Sequence, residues 1–374
     1  EKSVTLAILT AKQDKQYLPQ ALAALKSQDG ELLKAGLLAV ETFGGEKEVP
    51  ALLEQAFSGN DKGLATQILS RKGGKEIDAA LVAALKAEKD NGRYEALADI
   101  LSRRWNTSIR PILLEKAKQA DYPNRLRLLQ IAEGISGKDN VGEFVDVWEA
   151  IADRGQKDNA EQIISRLCGG DSAPVTAKRT AANESAMWSL LARVGDDKSL
   201  ADIRKAVFEE KPGTDKFAAV FNALRNYPDG RVADDLFKVA QSGDFPENDR
   251  VNALRSFIRV ISLPNDRIRI PINDKQQVEK LAKAFDLAAR VDEKRYVIER
   301  VGQIRTVESL TFVLKHFDDA ELQDRVIRSV LDLAHHTDLR RRDKEAFTAA
   351  LDKVLATTKH QDLLERAKRY KDNF

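Results

Sequence analysis

The stretch Ala186–Phe208, AMWSLLARVGDDKSLADIRKAVF, decides the fold. Its apolar residues at positions 187, 190, 191 and 194 recur at the spacing of one face of an α-helix. Gly195 ends this helix, and Ser199 followed by Asp202 is the capping-box pattern that predicts the start of a second helix. Positions 200, 203 and 207 repeat the apolar stripe. The stretch therefore predicts a helix hairpin with one apolar side.

Similar hairpins recur along the chain, about eleven in all, and an arginine near the end of the first helix marks many of them. The marked residues are Arg71, Arg103, Arg166, Arg193, Arg225, Arg259 and Arg300. Most of the steps that separate consecutive hairpins in this series are 27–34 residues long. Such a period with two helices per unit is typical of an α-solenoid, and the landmarks of tetratricopeptide repeats are missing from the sequence. We predict an all-α fold, a single right-handed solenoid of HEAT-like hairpins over residues 1–374 with an outer layer of first helices and an inner, concave layer of second helices.

Composition narrows the choice of partners. The 61 basic and 59 acidic residues are interleaved and give a net charge of +2, whereas nucleic-acid binders concentrate basic residues on one face. Acidic residues flank the one basic run, Arg340–Arg342, so nucleic acid is not the predicted partner. No apolar run reaches the roughly 18 residues of a membrane span, which argues against membrane insertion. The sequence begins at Glu1 rather than Met, and we interpret it as a processed or excised piece.

The recurring arginines have two interpretations. An arginine in the last turn of a helix meets the negative end of the helix dipole and free carbonyls, and a carboxylate of the next unit can pair with it. We favour this structural role for the whole series. The alternative is a row of guanidinium groups that binds carboxylate or phosphate groups along one edge of the solenoid.

Three tryptophans are candidates for stacking on sugar rings. Trp148 and Trp188 lie in apolar helix stripes, and we assign both to the core. Trp105 follows Arg103 and Arg104 at a helix end and is the better candidate for exposure. Trp105 and Arg104 are therefore predicted binding residues.

No catalytic or metal site is predicted. His335 and His336 invite a metal interpretation, but adjacent residues of a helix point in different directions and cannot easily reach one ion. Cys168 is the only cysteine, which excludes an internal disulfide and a cysteine-based metal site. The sequence carries no Ser-His-Asp signature, Walker loop or dinucleotide fingerprint. We expect no cofactor, no metal and no catalysis.

The repeat rhythm breaks between Ser262 and Gln276, in SLPNDRIRIPINDKQ. Two prolines and an Asn-Asp pair cannot continue a helix, so this stretch predicts a loop insertion between the two helices of one unit. Insertions of this kind often carry contacts. Asp266, Arg267 and Arg269 are the predicted binding residues of the loop.

The same region carries a resemblance. Residues 253–267, ALRSFIRVISLPNDR, and 280–313, KLAKAFDLAARVDEKRYVIERVGQIRTVESLTFV, resemble the HEAT-like segments attached to 3-keto-disaccharide hydrolase domains of environmental and gut bacteria. The matching features are Ala253-Leu254-Arg255, Leu263-Pro264, Asp266-Arg267, the helix Leu281–Ala289, Glu293-Lys294 and Val301-Gly302-Gln303. Members of the family are typically exported, and their hydrolase domain is a β-sandwich, for which this chain has no strands. The resemblance implies an accessory module of a periplasmic or otherwise extracytoplasmic glycan-processing protein.

The sequence therefore predicts a non-catalytic binding scaffold. Its expected partner is another protein or a covalently linked domain, and carbohydrate is a further possibility. One alternative is a general protein–protein scaffold without a link to sugars, which would also allow a cytoplasmic location. Another is a HEAT-like enzyme such as an alkylpurine DNA glycosylase or a bilin lyase. The glycosylase would need a basic concave face, and the balanced charge argues against it.

Overall fold

A computed structural model describes residues 2–12 and 15–373, which form helices and contain no β-strand. The α-helices among these residues are α1 Lys2–Ala11, α2 Leu18–Ala24, α3 Gly30–Phe43, α4 Val49–Ser58, α5 Lys62–Arg71, α6 Lys75–Ala87, α7 Asn91–Arg103, α8 Arg110–Lys118, α9 Arg125–Gly134, α10 Val141–Ala150, α11 Arg154–Cys168, α12 Ala173–Thr176, α13 Glu184–Val194, α14 Asp197–Glu209, α15 Asp215–Arg225, α16 Ala233–Gln241, α17 Glu247–Ile261, α18 Asn265–Ile268, α19 Asp274–Leu287, α20 Val291–Val301, α21 Val307–Leu314, α22 Gln323–Ala334, α23 Thr337–Arg342, α24 Lys344–Thr357 and α25 Gln361–Asp372. Short 3₁₀ turns precede five of the second helices, at Lys15–Tyr17, Glu46–Glu48, Thr107–Ile109, Lys138–Asn140 and Gly230–Val232.

The helices form consecutive pairs that stack on their neighbours. In the first half of the chain the first helices α1, α3, α5, α7, α9 and α11 each contact the next one in this order. In the second half the same holds for α13, α15, α17, α20 and α22. Because each pair packs mainly against the adjacent pairs, the chain has the architecture of an α-solenoid. The all-α class and the repeated helix pairs predicted from the sequence are confirmed.

The chain divides into two compact units, Glu1–Lys178 with α1–α12 and Arg179–Phe374 with α13–α25. The sequence predicts one continuous domain over residues 1–374, and that single-domain assignment stays a prediction. The unit boundary follows the shortest second helix, α12, which has four residues where the repeat pattern predicts a full helix.

Aspartate caps begin most of the first helices in the first unit. The side chains of Asp29, Asp61, Asp90 and Asp153 each accept a hydrogen bond from a backbone N–H in the first turn of the following helix. A capping carboxylate satisfies an N–H that has no partner within the helix, and it also meets the positive end of the helix dipole. These aspartates recur with the repeat and fix where each pair begins.

The start of α14 differs from the sequence-based prediction. Asp196, and not Ser199, caps this helix, because its side chain accepts a hydrogen bond from the Ser199 backbone N–H at 2.7 Å. The Ser199 hydroxyl is buried inside the first turn and donates to the Asp196 carbonyl at 3.0 Å. Gly195 ends the preceding helix in the left-handed conformation, as predicted (φ 70°).

The insertion at 262–276 is partly ordered as helix. One helical turn, α18, lies inside it, and the Ile268 side chain is buried. The space for this contact exists because residue 230 is a glycine: a Cβ there would lie 2.8 Å from the Ile268 side chain. The insertion is therefore anchored to the 3₁₀ turn Gly230–Val232 through the apolar side chains of Ile268 and Ile270.

Two tryptophans belong to the core, as predicted. Trp148 and Trp188 are 1% and 2% exposed. The Trp148 indole donates a hydrogen bond to the Glu161 carboxylate at 3.2 Å, and the Arg179 guanidinium lies 4.0 Å from the centre of the Trp188 ring.

Candidate anion-binding site

The recurring arginines of the first unit are tied to carboxylates. Arg71 on α5 donates two hydrogen bonds to Glu41 on α3, at 2.6 and 2.8 Å. Arg166 on α11 likewise donates two hydrogen bonds to Glu133 on α9, at 2.7 and 2.9 Å. Hydrogen bonding to these carboxylates raises the pKa of both guanidinium groups. These two arginines link successive first helices, which is the structural role favoured from the sequence.

Two other members of the series are also engaged. Arg103 donates to Asp99 on its own helix at 2.8 Å, and Asp99 in turn accepts from Arg127 on α9 at 2.9 Å. Arg193 is exposed on α13 and has an interaction with its surroundings. Neither arginine therefore offers an isolated guanidinium group to a ligand.

Three members of the series in the second unit differ from those of the first unit. Among the described residues, no ion-pair partner is present for Arg225, Arg259 or Arg300. The Nη2 atom of Arg259 on α17 donates instead to two backbone carbonyls, those of residues 225 and 227, at 2.8 and 2.9 Å. Arg300 on α20 donates to the side-chain oxygen of Gln303 at 3.2 Å. The guanidinium of Arg225 on α15 lies 5.7 Å from the centre of the Phe221 ring, and the negative charge of Asp249 acts on it.

The absence of partners follows from the sequence of the helices that precede these arginines. Glu41 and Glu133 lie in the last turn of α3 and α9. The last two turns of α13, α15 and α17 read WSLLARV, AVFNALR and RSFIRVI, and contain no acidic residue. The partners of Arg71 and Arg166 come from the preceding first helix, and the helices that precede Arg225, Arg259 and Arg300 offer no carboxylate at the equivalent place.

A cavity of about 450 Å³ opens beside two of these arginines. We call it the arginine pocket; its lining residues are Arg225, Asn226, Arg255, Ser256, Arg259, Asp292 and Tyr296. Arg300 lies next to it, with its guanidinium 5.0 Å from the centre of the Tyr296 ring. Three consecutive first helices, α15, α17 and α20, therefore supply the arginines around one cavity.

Two of the acidic groups near the arginine pocket, Glu293 and Asp292, are already paired, and a third, Asp249, acts on Arg225. Glu293, which is 1% exposed, accepts hydrogen bonds from Arg255, with a shortest distance of 2.5 Å. Asp292 lies 3.6 Å from Arg295 on its own helix. The charges of Arg225, Arg259 and Arg300 are therefore not neutralised by the two paired acids.

Burial changes the pKa of two of these arginines. Desolvation lowers the pKa of Arg225, and the negative charge of Asp249 opposes this shift. Desolvation also lowers the pKa of Arg259, and the neighbouring positive charge of Arg300 lowers it further. The Nε atoms of Arg225 and Arg300 are buried and have no hydrogen-bond partner. Because a desolvated cation without a counter-charge is costly, an anion in the pocket would stabilise this arrangement.

The structure separates Arg104 from Trp105. The Arg104 side chain is 6% exposed, and its guanidinium donates to Asp78 at 2.6 Å and to the carbonyls of Leu69 and Lys72 at 2.7 and 2.6 Å. The geometry of Arg104 thus corrects its assignment as a binding residue, because its donors serve the preceding unit. Trp105 is 73% exposed and adopts a positive φ of 54°. Its binding role stays a prediction.

The predicted binding residues of the insertion lie on the surface and do not line the arginine pocket. Asp266, Arg267 and Arg269 are exposed. Arg269 has the other positive φ among described non-glycine residues, 55°, and its guanidinium lies 3.9 Å from the Asp229 carboxylate. The binding role of these three residues stays a prediction.

The arginine pocket itself was not predicted as a site. The recurring arginines were recognised, but Arg255, Asn226, Ser256, Asp292 and Tyr296 were not connected with them. The signal available in the sequence was the lack of acidic residues at the ends of α13, α15 and α17.

Two further features of the described residues bear on function. A second cavity, of about 640 Å³, has a largely apolar lining that includes Leu6, Leu9 and Tyr17. No cluster of three or more His, Cys, Asp or Glu side chains in the described ranges is placed to hold a metal ion, and the His335 ring contacts the Tyr370 hydroxyl at 3.1 Å. Of the helices described, none combines the length and apolar character needed to cross a membrane.

The fold and the pocket define a class, an α-solenoid of paired helices. No protein family and no curated protein matches this sequence. Among solved structures the chain is similar to Kap121p, with 12% identity and a TM-score of 0.33 over 95% of this chain and 37% of that one. A Kap121p mutant gives 12% identity and a TM-score of 0.32 over 95% and 48%.

A third similar structure comes from work on a phosphorylation switch in the interaction between cadherin and β-catenin. The identity is 11% and the TM-score is 0.27. The match covers 96% of the present chain and 91% of the chain in that structure. The match with Kap121p covers 37% of that protein's chain, well under two thirds of its length. TM-scores this low carry no argument about fold or function. None of the three links the chain to 3-keto-disaccharide hydrolases.

Proposed function

We propose that this chain is a non-catalytic binding scaffold that holds an anionic group of a partner protein in the arginine pocket. One observation carries the proposal: Arg225, Arg259 and Arg300 lack the carboxylate partners that their counterparts Arg71 and Arg166 have. A desolvated guanidinium without a counter-charge costs free energy. A ligand that supplies the counter-charge accounts for three arginines without an ion pair around one cavity.

The chemistry of the pocket favours binding over catalysis. Arginine stays protonated in proteins and therefore cannot exchange a proton with a substrate near neutral pH. Its planar fork instead suits carboxylate and phosphate groups, which it binds through two parallel hydrogen bonds. The backbone carbonyls that hold Arg259 in place also fix the orientation of this fork before a ligand arrives.

A protein partner fits the arrangement of the arginines along the repeat. The residues of the pocket come from successive first helices, so a ligand that follows the stack meets one helix after another. Stacked repeats present such rows of side chains to extended partners. The Arg255 side chain, which is 51% exposed, marks the open side of the pocket.

The test uses a fluorescein-labelled acidic peptide and fluorescence anisotropy at low salt. We expect the double variant Arg225→Gln/Arg259→Gln to lose at least tenfold in affinity, because it removes two unpaired guanidinium groups. The matched control, Arg71→Gln/Arg166→Gln, removes two arginines of the same series that are already paired, and should bind within about twofold of the original chain. Equal losses of affinity in both variants would show that peptide binding depends only on the overall charge of the chain, and would refute the proposal.

A second candidate function, an accessory role beside a bacterial glycan-processing enzyme, draws support from Trp105. An indole that is 73% exposed next to a fixed arginine is suited to stacking on the apolar face of a sugar. Because Trp148 and Trp188 are buried, a change in fluorescence on adding oligosaccharide should come from Trp105. The change should vanish in Trp105→Ala, and its persistence there would contradict this role.

This second role would also place the chain outside the cytoplasm. The proposal of an extracytoplasmic location rests on the resemblance to exported hydrolase proteins. Fractionation of cells that produce the protein at its natural level tests it, with a periplasmic and a cytoplasmic marker as controls. Recovery with the cytoplasmic marker would leave the general scaffold as the remaining function.

A further inference from the structure

We infer that the ligand group of the arginine pocket is a phosphomonoester dianion and not a single carboxylate. This inference rests on the proposed function and specifies its ligand. It concerns the same cavity of about 450 Å³ between α15, α17 and α20. Three observations support it: the number of unpaired charges, the donors of the arginines and the size of the cavity.

The charges call for more than one negative charge. Arg255 and Glu293 neutralise each other, and Asp292 is paired with Arg295. Three guanidinium groups, those of Arg225, Arg259 and Arg300, remain around the pocket without an ion pair, and the negative charge of Asp249 partly offsets the first of them. A carboxylate brings one charge, whereas a phosphomonoester brings about −1.5 to −2 at neutral pH. The dianion therefore matches the local excess better.

The donors of the arginines also bear on the ligand. Arg259 uses its Nη2 atom for two backbone carbonyls, so its Nε and Nη1 atoms remain for a ligand. The Nε atoms of Arg225 and Arg300 have no acceptor but are buried, so these two arginines contribute charge rather than accessible Nε donors. A phosphoryl group offers three strong acceptor oxygens that can meet donors from several directions, while a carboxylate offers two in one plane.

The cavity is larger than a bare anion needs. Sites of about 300–1,000 Å³ are typical of small organic ligands. In the arginine pocket Tyr296, Asn226, Ser256 and Asp292 line the part of the wall that is not guanidinium. The organic group attached to the phosphate would lie against this wall. Both a phosphorylated side chain of a protein and a phosphorylated small molecule have this chemistry.

The experiment is calorimetric titration of the full chain at low salt with three probes. They are a short peptide with one phosphoserine, the same peptide with aspartate in its place, and a hexose phosphate. We expect a phosphomonoester to bind at least tenfold more tightly than the aspartate peptide at pH 7.5. Binding of the phosphopeptide alone supports both the inference and the protein partner of the proposed function. Binding of the hexose phosphate alone supports a phosphomonoester ligand but contradicts the protein partner.

The pH dependence gives an independent readout. The second pKa of a phosphomonoester is about 6, so the dianion fraction falls about fourfold between pH 7.5 and 5.5. The affinity should fall by the same factor, because the guanidinium groups do not titrate in this range. Inorganic sulfate stays a dianion at both pH values, and its affinity should not change. An affinity for the phosphomonoester that is equal at both pH values would overturn the inference.

Variants separate failure of the inference from failure of the proposed function. Arg259→Gln should lose at least tenfold for the phosphomonoester, Arg259→Lys should lose less because it keeps the charge without the fork, and the control Arg166→Gln should stay within about twofold. If the aspartate peptide binds as tightly as the phosphopeptide and only the pocket variants lose it, the dianion inference is wrong and the anion-binding scaffold stands. If no probe binds, or all variants lose equally, both are wrong.

Discussion

Arg104 and Trp105 are neighbours in sequence with opposite exposures, because the Arg104 side chain is 6% exposed and Trp105 is 73% exposed. Arg104 holds Asp78 and two carbonyls of the preceding helix pair in a nearly buried position. We expect Arg104→Met to lower the free energy of unfolding by about 1–3 kcal/mol, since the two carbonyls lose their donor while the packing of the stem is kept. Urea unfolding followed by circular dichroism measures this.

Trp105→Ala is the matched control for Arg104. It removes a larger side chain from a site where 73% of the residue is exposed, and should change the free energy of unfolding by no more than about 0.5 kcal/mol. A loss as large as that of Arg104→Met would mean that Trp105 packs on the protein in solution. Its availability for a sugar or another partner would then be excluded.

The arginine series also shows what a residue pattern can reveal by itself. The recurrence of Arg71, Arg166 and Arg259 at one position of the repeat is visible in the sequence. Whether each is paired depends on the helix before it, about 30 residues upstream. The recurrence alone therefore locates the arginines, whereas the difference between the two units has to be read from the ends of the preceding helices, where acidic residues are present before Arg71 and Arg166 and absent before Arg225, Arg259 and Arg300.

At the scale of the element, close helix packing sets a limit on residue size at Gly302. This residue follows α20, and a Cβ built there would lie 2.6 Å from the Cβ of Ser329 on α22. Gly302→Ala forces these helices apart, and we expect it to lower the free energy of unfolding by about 1–3 kcal/mol. Thermal and urea unfolding of the purified variant measure the effect.

Two further variants decide whether the contact with Ser329 is the cause. Gly134 is the last residue of α9 and has no neighbouring atom within 4 Å of an added Cβ. Gly134→Ala should be neutral or slightly stabilising. The double variant Gly302→Ala/Ser329→Gly should recover part of the loss, because it removes the opposing Cβ. No recovery would place the cause elsewhere.

Element boundaries were predictable where one residue type dominates the backbone geometry. Gly195 and Gly169 end their helices in the left-handed conformation, which glycine adopts without steric cost. The start of α14 was misassigned, because Asp196 and Ser199 both suit a cap and only the backbone geometry decides between them. The short helix α18 was missed, since the prolines around it argue for a loop and its stability comes from burying Ile268.

At the scale of the whole molecule, a near-neutral net charge hides a local excess. The chain carries +2 overall, and this balance argued against a strongly basic surface. The arginine pocket nevertheless collects several guanidinium groups, of which three have no ion pair among the described residues. Steering and binding depend on the local field of such a cluster, and salt weakens that field over a length of about 10 Å at 0.1 M. Composition alone could not reveal this.

The division into two compact units predicts how the chain tolerates a cut. Stacked repeats are stabilised by contacts with adjacent pairs, so a fragment folds when its internal contacts are kept. We expect the fragments 1–178 and 179–374 each to be helical and to unfold cooperatively by circular dichroism. The second fragment contains the whole arginine pocket and should bind an anionic probe within about twofold of the full chain.

A cut at another position supplies the control. Separation after Glu209 leaves α13 and α14 without α15, which both of them contact. The fragments 1–209 and 210–374 should therefore unfold at lower temperature, and less cooperatively, than the pair cut after 178. If the two cuts are equally harmful, the helix pairs form one continuous array with no boundary at 178. If fragment 179–374 folds but binds no anion, the pocket needs residues from the first half of the chain, and the assignment of the site to the second unit fails.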